Sequence, residues 1–124
     1  MGFTSAEAAA TLDVRFATGA STDYIAWSAD GSNETASLAR TSVGSWAAAT
    51  VADPSVKANS AIITTAAATG SVTVSHGRIM TASSGGTART DWEPLRVGGT
   101  PTPRALLTGD ALTIAIGAHQ ITLT

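Results

Sequence analysis

The chain has no cysteine among its 124 residues, which excludes disulfide bonds, thiolate zinc sites and a thiol nucleophile. Charged residues make up only 13% of it, about half the share in an average domain. The net charge is −2, and the six arginines are scattered singly, so no nucleic-acid-binding surface is predicted. No apolar run reaches the roughly 18 residues of a membrane span, and residues 1–18 lack the apolar stretch of a signal peptide. We therefore expect no membrane partner.

Small residues are abundant in the chain, whereas charged residues are few. Alanine (25), threonine (20), serine (13) and glycine (12) together account for 70 of the 124 residues. Disorder is a poor explanation, because disordered chains are rich in charge and poor in branched apolar residues. A sparsely charged surface is typical of a protein that is covered by partners. A GC-rich genome also favours this composition, and the two explanations are compatible.

The first 20 residues predict one short helix and its cap. Thr4 and Glu7 have the spacing of a capping box, and Ala8, Leu12 and Phe16 form one apolar stripe. Gly19 is the expected stop signal. So short a helix must dock on something to be stable. The favoured surface is the protein's own sheet, and the alternative is a neighbouring subunit.

From residue 22 onward the apolar pattern has the period of two that is typical of strands. A polar turn at 30–33 closes the first strand, a break is expected at Gly77, and Pro94 confines its segment to a sheet edge or bulge. Residues 81–91 and 98–104 should be loops. Strands are predicted at 24–27, 36–42, 45–52, 56–65 and 71–76.

The last fourteen residues predict a β-hairpin. Strands 111–116 and 119–124 flank Gly117-Ala118, a pair that suits a two-residue type II′ turn. This register places Ile114 opposite Ile121 on an apolar face. A single hairpin is marginal in water, so it must join a larger sheet.

These elements predict a mainly β fold in a single domain, 1–124. Seven or eight short strands with regular turn signals favour an antiparallel β-sandwich or a jelly-roll-like fold over 22–124. The one short N-terminal α-helix, within 1–20, would pack at an end or edge of it.

The sequence predicts no catalytic, cofactor-binding or metal site. Nothing at metal-ligand spacing accompanies His76 or His119, and the Asp91/Glu93 pair is more typical of solvated loop acids. A plain β-turn is favoured over weak Ca²⁺ binding for the acidic residues around Ser32. A Ser-His-acid set stays the catalytic alternative, since such sets are recognised only in space. The prediction is that the protein is not an enzyme.

The bulkiest apolar residues are the candidate interface. Core anchoring is the main interpretation of the tryptophans, and an interface hot spot is the second, because tryptophan is enriched at such sites. The candidate interface residues are Trp27, Trp46, Trp92, Leu95 and Phe16.

The order of these features resembles a family of small structural proteins of tailed bacteriophages, labelled variously as tail fibre, minor tail or head decoration proteins. The resemblance lies in the segment Thr11–Phe16, the strand Tyr24–Ser28, the stretch 58–76 with the turn that follows at 81–86, and the end of the chain from Thr108. It covers about three-quarters of the chain. Residues 87–104 depart from it, with a loop that contains Trp and Pro.

The resemblance implies a non-enzymatic virion protein without a cofactor, made in the host cytoplasm and located on the capsid surface or the tail. We expect a capsid decoration protein that packs on the major capsid protein and associates with itself, with a trimer as one arrangement. The alternatives are a tail-tip, minor tail or tail-fibre component, or a carbohydrate-binding β-sandwich that stacks a tryptophan on a sugar ring.

Overall fold

Antiparallel strands dominate the structure, a computed structural model that describes residues 4–123. Strands make up 36% of the chain and the short helix 9%, which confirms the predicted mainly β class. The helix, α1, spans Ser5–Arg15. The strands are β1 (Gly19–Ala20), β2 (Tyr24–Ser28), β3 (Thr41–Ser42), β4 (Ser45–Trp46), β5 (Ser55–Ala58), β6 (Ile63–Thr64), β7 (Val72–Val74), β8 (His76–Met80), β9 (Glu93–Pro94), β10 (Arg96–Val97), β11 (Thr100–Pro101), β12 (Arg104–Leu106), β13 (Thr113–Ile114) and β14 (Gln120–Leu123).

Helix α1 starts as the sequence predicts. The Glu7 amide donates to the Thr4 hydroxyl at 3.3 Å, so the cap satisfies one of the free N–H groups of the first turn. Ala8, Leu12 and Phe16 are all buried, and α1 lies against β5 and β14 of its own chain. Docking on the protein's own sheet is therefore confirmed. In the described part of the chain, α1 is too short and too polar to cross a membrane.

The helix ends earlier than predicted. It stops at Arg15, and the Phe16 amide makes the last helical hydrogen bond, to the Leu12 carbonyl at 2.8 Å. Gly19, with φ of 97°, lies in β1 opposite Trp46, so the prediction that it stops the helix is wrong. The Arg89 guanidinium donates to the Arg15 carbonyl, and this distant contact caps the helix without a glycine.

The largest sheet has four strands in the order β3-β2-β8-β9, and β2 pairs with β8 along five residues. The alternation in β2 and β8 directs Ile25, Trp27 and Ile79 into the core. Gly77 continues β8 instead of breaking it. A Cβ there would lie 2.8 Å from the Ile25 Cδ1 atom, so glycine is required by close packing. Pro94 lies on the edge strand β9, as predicted.

The weaker predicted strands are shorter than expected. The segment 36–42 keeps only β3, 45–52 keeps only β4, and 56–65 divides into β5 and β6. Serine and threonine hydroxyls explain part of this, because they compete with the sheet for backbone groups. The Val56 amide, for example, donates to the Thr50 hydroxyl at 2.9 Å.

The loop predictions differ in outcome. Residues 81–91 form a loop with no strand, as predicted. Residues 98–104 do not, because β11 pairs with β10 around Gly98-Gly99, and β12 pairs with β7. Both glycines have positive φ, 58° and 83°, which is the requirement of a type I′ hairpin turn.

The predicted C-terminal hairpin does not form, so this prediction is wrong. Strand β13 pairs with β6, and β14 pairs with β5, so Ile114 lies opposite Ile63 and Ile121 lies opposite Lys57. The cause is Asn59. Its side chain donates to the Ala115 carbonyl at 3.0 Å and accepts from the His119 amide at 3.0 Å.

Asn59 thus occupies both the N–H and the carbonyl of His119, which a hairpin with this register would need. The predicted type II′ turn on Gly117-Ala118 is also wrong. The turn lies one residue earlier, with Ile116 and Gly117 at its centre: the Ala118 amide donates to the Ala115 carbonyl at 3.1 Å, and Gly117 has φ of 79°. Ile116 is turned outward and is 63% exposed, whereas the predicted alternation placed it on the apolar face.

One connected apolar core joins the elements, from Leu12 on α1 to Ile121 on β14. Its largest fully buried members include Trp27 and Trp46. The helix and the strands contribute to the same cluster.

Candidate interface

Four of the five predicted interface side chains lie inside the protein. Trp27 is 0% exposed, Trp46 1%, Leu95 3% and Phe16 6%. An interface needs accessible side chains, so these four are removed from the candidate interface, and the core interpretation of Trp27 and Trp46 holds. Only Trp92 keeps part of its surface exposed.

Trp46 shows why the burial is specific. Its indole N–H donates to the buried Asp23 carboxylate at 3.2 Å, and its ring packs edge-on against Phe16 with centroids 5.5 Å apart. Edge-to-face packing and a satisfied indole N–H are the features of a stable buried tryptophan.

Trp92 is covered on one face by a cation. The guanidinium carbon of Arg78 lies 4.3 Å from the centroid of the Trp92 ring, a cation–π geometry. Arg78 on β8 follows the residue that pairs with Glu93 on β9, so the stack spans two neighbouring strands. That ring face is therefore closed to a stacking sugar. The sequence alone offered no signal for this pair, since the register of β9 on β8 is a tertiary feature.

The two histidines have different surroundings. His119 is 3% exposed, and burial lowers its pKa to about 4. Its Nε2 atom has no hydrogen-bond partner among the described residues. His76 lies at the surface end of β8, where its Nδ1 atom is 2.7 Å from the Ser75 hydroxyl and its ring packs close to Gly31.

The Ser75–His76 contact joins neighbours in sequence. Burial raises the pKa of Glu93, the acid of the strand segment that pairs with His76. Neither Ser75 nor His76 lines any of the four cavities described for this structure.

The acidic turn behaves as predicted. The Asp30 carboxylate accepts from the amides of Ser32 at 2.8 Å and Asn33 at 2.9 Å, which lowers the pKa of Asp30 far below its usual value. These bonds make an Asx-type turn. Within residues 4–123 there is no group of three or more acidic, histidine or cysteine side chains arranged to hold a metal ion.

A buried ion pair under α1 was missed by the sequence analysis. The Lys57 ammonium, 0% exposed, donates to the Asp13 carboxylate at 2.6 Å and to the Thr18 hydroxyl at 2.9 Å. The Lys57 ammonium, the Ala49 amide and the Thr18 hydroxyl all donate to the Asp13 carboxylate and lower its pKa. Lys57 is the one lysine of the chain, and its place in a strand with buried neighbours was its only signal.

A second ionic contact fastens the end of α1. Arg89 donates to both oxygens of Asp23, at 2.7 and 2.9 Å, and its guanidinium lies 4.3 Å from the centroid of the Phe16 ring. Asp13 lies in the last turn of α1 and Arg89 donates to the Arg15 carbonyl, so both contacts hold the C-terminal end of the helix. In both, a cation of the chain, Lys57 or Arg89, is neutralised by a carboxylate of the same chain.

What remains outside is poor in charge and contains aliphatic groups. Six large apolar side chains are more than half exposed: Val14, Val51, Ile62, Val97, Leu107 and Ile116. The exposed charged residues are Glu7, Arg15, Asp30, Glu34, Asp53, Asp91 and Asp110. Interface centres are similarly depleted of charge.

Two glycine turns form a groove on this surface. The β10–β11 turn and the turn at Gly117 enclose a volume of about 250 Å³, lined also by Arg96, Ile116 and Gln120. The groove includes part of 87–104, the segment that departs from the phage family resemblance. The departure of that segment from the family is visible in the sequence, but only the fold brings the segment beside residues 115–120.

The comparisons with known proteins add no relative. Neither protein-family models, nor curated proteins, nor solved structures match this chain.

Proposed function

We propose that this protein is a non-enzymatic structural component of a tailed-bacteriophage particle, and that it decorates the capsid by packing on the major capsid protein. The observation that carries the proposal is the described surface. Four of the seven cations, Arg40, Lys57, Arg89 and Arg78, make ion-pair or cation–π contacts within the chain. Six large aliphatic side chains are exposed. Such a surface is suited to being covered.

The internal contacts make this observation specific. Lys57, Arg40 and Arg89 each form an ion pair with a carboxylate of the same chain. Arg40 also donates to the carbonyls of Ala82 and Gly85, at 2.9 and 2.7 Å, and so fastens the 81–91 loop to the body of the protein. A rigid body with few free charges can bury its surface on a lattice at a small desolvation cost.

The phage resemblance supplies the kind of partner, and the proposed location follows from it. The protein would be made in the host cytoplasm and reside on the capsid surface, where the exposed aliphatic groups would meet major capsid subunits. We also propose that the sheets are arranged as a β-sandwich or a jelly roll.

The tail alternative differs from decoration in stoichiometry. Quantitative mass spectrometry of purified particles from the genome that encodes this chain measures the copy number directly. Decoration predicts a copy number close to that of the major capsid protein. A few copies per particle would overturn decoration in favour of a tail component, and absence from the particles would overturn the virion proposal.

The carbohydrate-binding alternative has lost two of its three tryptophans to the core, Trp27 and Trp46. It now depends on Trp92, which is partly exposed. A glycan screen with Trp92→Ala beside the unaltered chain tests it, and binding that requires Trp92 would revive it.

A further inference from the structure

The C-terminal end of α1 borders a depression on the surface. Two adjoining cavities, of about 410 and 210 Å³, meet at Arg15 and Arg89. Phe16 and Ala88 line the first, and Val14 lines the second. This end of the helix therefore presents a hollow with both apolar and cationic walls.

The floor of the depression is preorganised. Arg89 is held by both oxygens of Asp23 and by the Arg15 carbonyl, and Asp23 accepts in addition from Trp46. The charge of Arg89 is matched by that of Asp23 at 2.7 Å. The excess positive charge of the depression thus belongs to Arg15.

Arg15 is unusual in this chain because it is the one exposed cation among residues 4–123. The ion pairs of the described residues join Arg40 to Glu34, Lys57 to Asp13 and Arg89 to Asp23, so Arg15 has no carboxylate partner in them. Beside it stands Val14, 81% exposed, the most exposed of the large apolar side chains described. An aliphatic group and a free cation are thus adjacent.

The complementary combination, an exposed acid close in sequence to an exposed aliphatic residue, occurs at Val51 and Asp53 and at Leu107 and Asp110. In the loop between β4 and β5, Val51 is 70% exposed and Asp53 is exposed two residues further on. Asp53 takes part in none of the ion pairs of the described chain. The other exposed acids are less suited. Asp30 and Glu34 are engaged by their own neighbours, and Asp110 accepts from the Leu107 amide.

We propose that the depression at the end of α1 binds a second copy of this chain, with Arg15 of one copy against Asp53 of the other and Val14 against Val51. The charges are opposite, and each is paired with an exposed aliphatic group that the contact would remove from water. The contact closes as a two-fold pair when it is reciprocal, and as a ring when it runs head to tail. This inference goes beyond the proposed function and does not rest on it, since it concerns the purified chain alone.

The test is a charge exchange, read by sedimentation velocity over a series of concentrations. The unaltered chain should self-associate to one defined oligomer, more weakly at high salt. Arg15→Glu and Asp53→Arg should each weaken the association about tenfold, because each replaces an attraction by a repulsion of similar size. The combined Arg15→Glu, Asp53→Arg chain should recover most of the lost affinity.

The matched control is Asp91→Arg, which makes the same change in net charge at another exposed acid. It should leave the association unchanged. Circular dichroism identifies a variant that has not folded. Because the Arg15 contact inside the chain is made by its carbonyl, the side-chain change should leave the helix intact, and Arg15→Gln is the milder variant if Arg15→Glu is unstable.

A monomer at every concentration would overturn the proposal. So would single variants that associate as well as the unaltered chain, or an exchanged pair that is no better than either single change. An equal loss in the Asp91→Arg control would also overturn it, because the effect would then follow net charge instead of this contact.

Discussion

Two antiparallel pairs of strands in this protein are buried in opposite ways. On the core side of β2–β8, the inward positions are apolar, with Ile25, Trp27 and Ile79 packed around Gly77. On β5–β14, the inward positions of β5 are polar, Ser55 and Lys57, although Ile121 of β14 opposite Lys57 is apolar. Asn59 and His119, just outside the two strands, are buried as well. An apolar face is satisfied by close packing alone, whereas each polar group needs its own partner. The β5–β14 region should therefore be sensitive to single partners and to pH, and the β2–β8 region to volume.

The largest effect is expected in the apolar pair. Trp27→Ala removes a fully buried indole and should lower the free energy of unfolding by about 4 kcal/mol, through lost burial and the cavity left behind. Chemical denaturation at neutral pH measures it. A loss below about 1 kcal/mol would show that the β2–β8 core is not the main source of stability.

The next effect belongs to the polar pair. Asp13→Ala leaves the buried Lys57 ammonium without its carboxylate and should cost about 3 kcal/mol, the lower end for a broken buried pair because Asp13 itself is partly in water. The same denaturation series should show that adding Lys57→Met to this variant restores most of the stability. If the second change makes no difference, an unpaired charge is not the cause.

The third prediction separates the two regions by pH. The pKa of His119 is lowered by burial from 6.5 to about 4, so the unfolded chain takes up this proton at a higher pH than the folded chain does. Its contribution to stability is therefore complete above about pH 6.5 and is lost as the pH falls toward 4. Between pH 7 and 5 the loss should be about 2 kcal/mol.

Thermal or urea unfolding at several pH values checks this, with His119→Leu as the variant that should lose the pH dependence in this range. His76→Gln is the matched control, since it removes the other histidine of the chain and should keep the dependence. An equal slope in the unaltered chain and in His119→Leu would contradict the assignment to His119.

The smallest effect concerns the helix that lies on the polar pair. Thr4→Ala removes the hydroxyl that accepts from the Glu7 amide and should cost about 1 kcal/mol. Thr4→Ser keeps the hydroxyl and should be close to neutral. Since α1 lies against β5 and β14, hydrogen exchange should rise in those strands before it rises in β2 and β8, and uniform exchange across both regions would argue against separate local stabilities.

Local features were predictable because they depend on neighbours in the sequence. The cap at Thr4, the stripe through Leu12, the turn at Asp30 and the strand around Trp27 all formed as expected. The candidate interface was not predictable, because a large apolar side chain has the same sequence signature in a core and at an interface. Burial decided that Trp27 and Trp46 belong to the core.

The C-terminal hairpin shows the limit most clearly. The turn that forms lies one residue before the predicted one, on Ile116 and Gly117, and the strands on either side pair elsewhere. The competing hydrogen bonds come from Asn59, which is 56 residues from Ala115 and 60 from His119 in the chain. No local pattern contains that information.

The sequence by itself determined that this protein is mainly β, that it begins with a capped amphipathic helix, and that its charge is sparse. Those properties follow from composition, periodicity and short-range hydrogen bonds. The tertiary structure alone decided which strands pair, that Lys57 and His119 are buried, and that Arg15 is left as the exposed cation. The reason is that a strand's partner and a charge's partner are chosen by contacts between residues far apart in the chain, where each group takes the best of several competing neighbours.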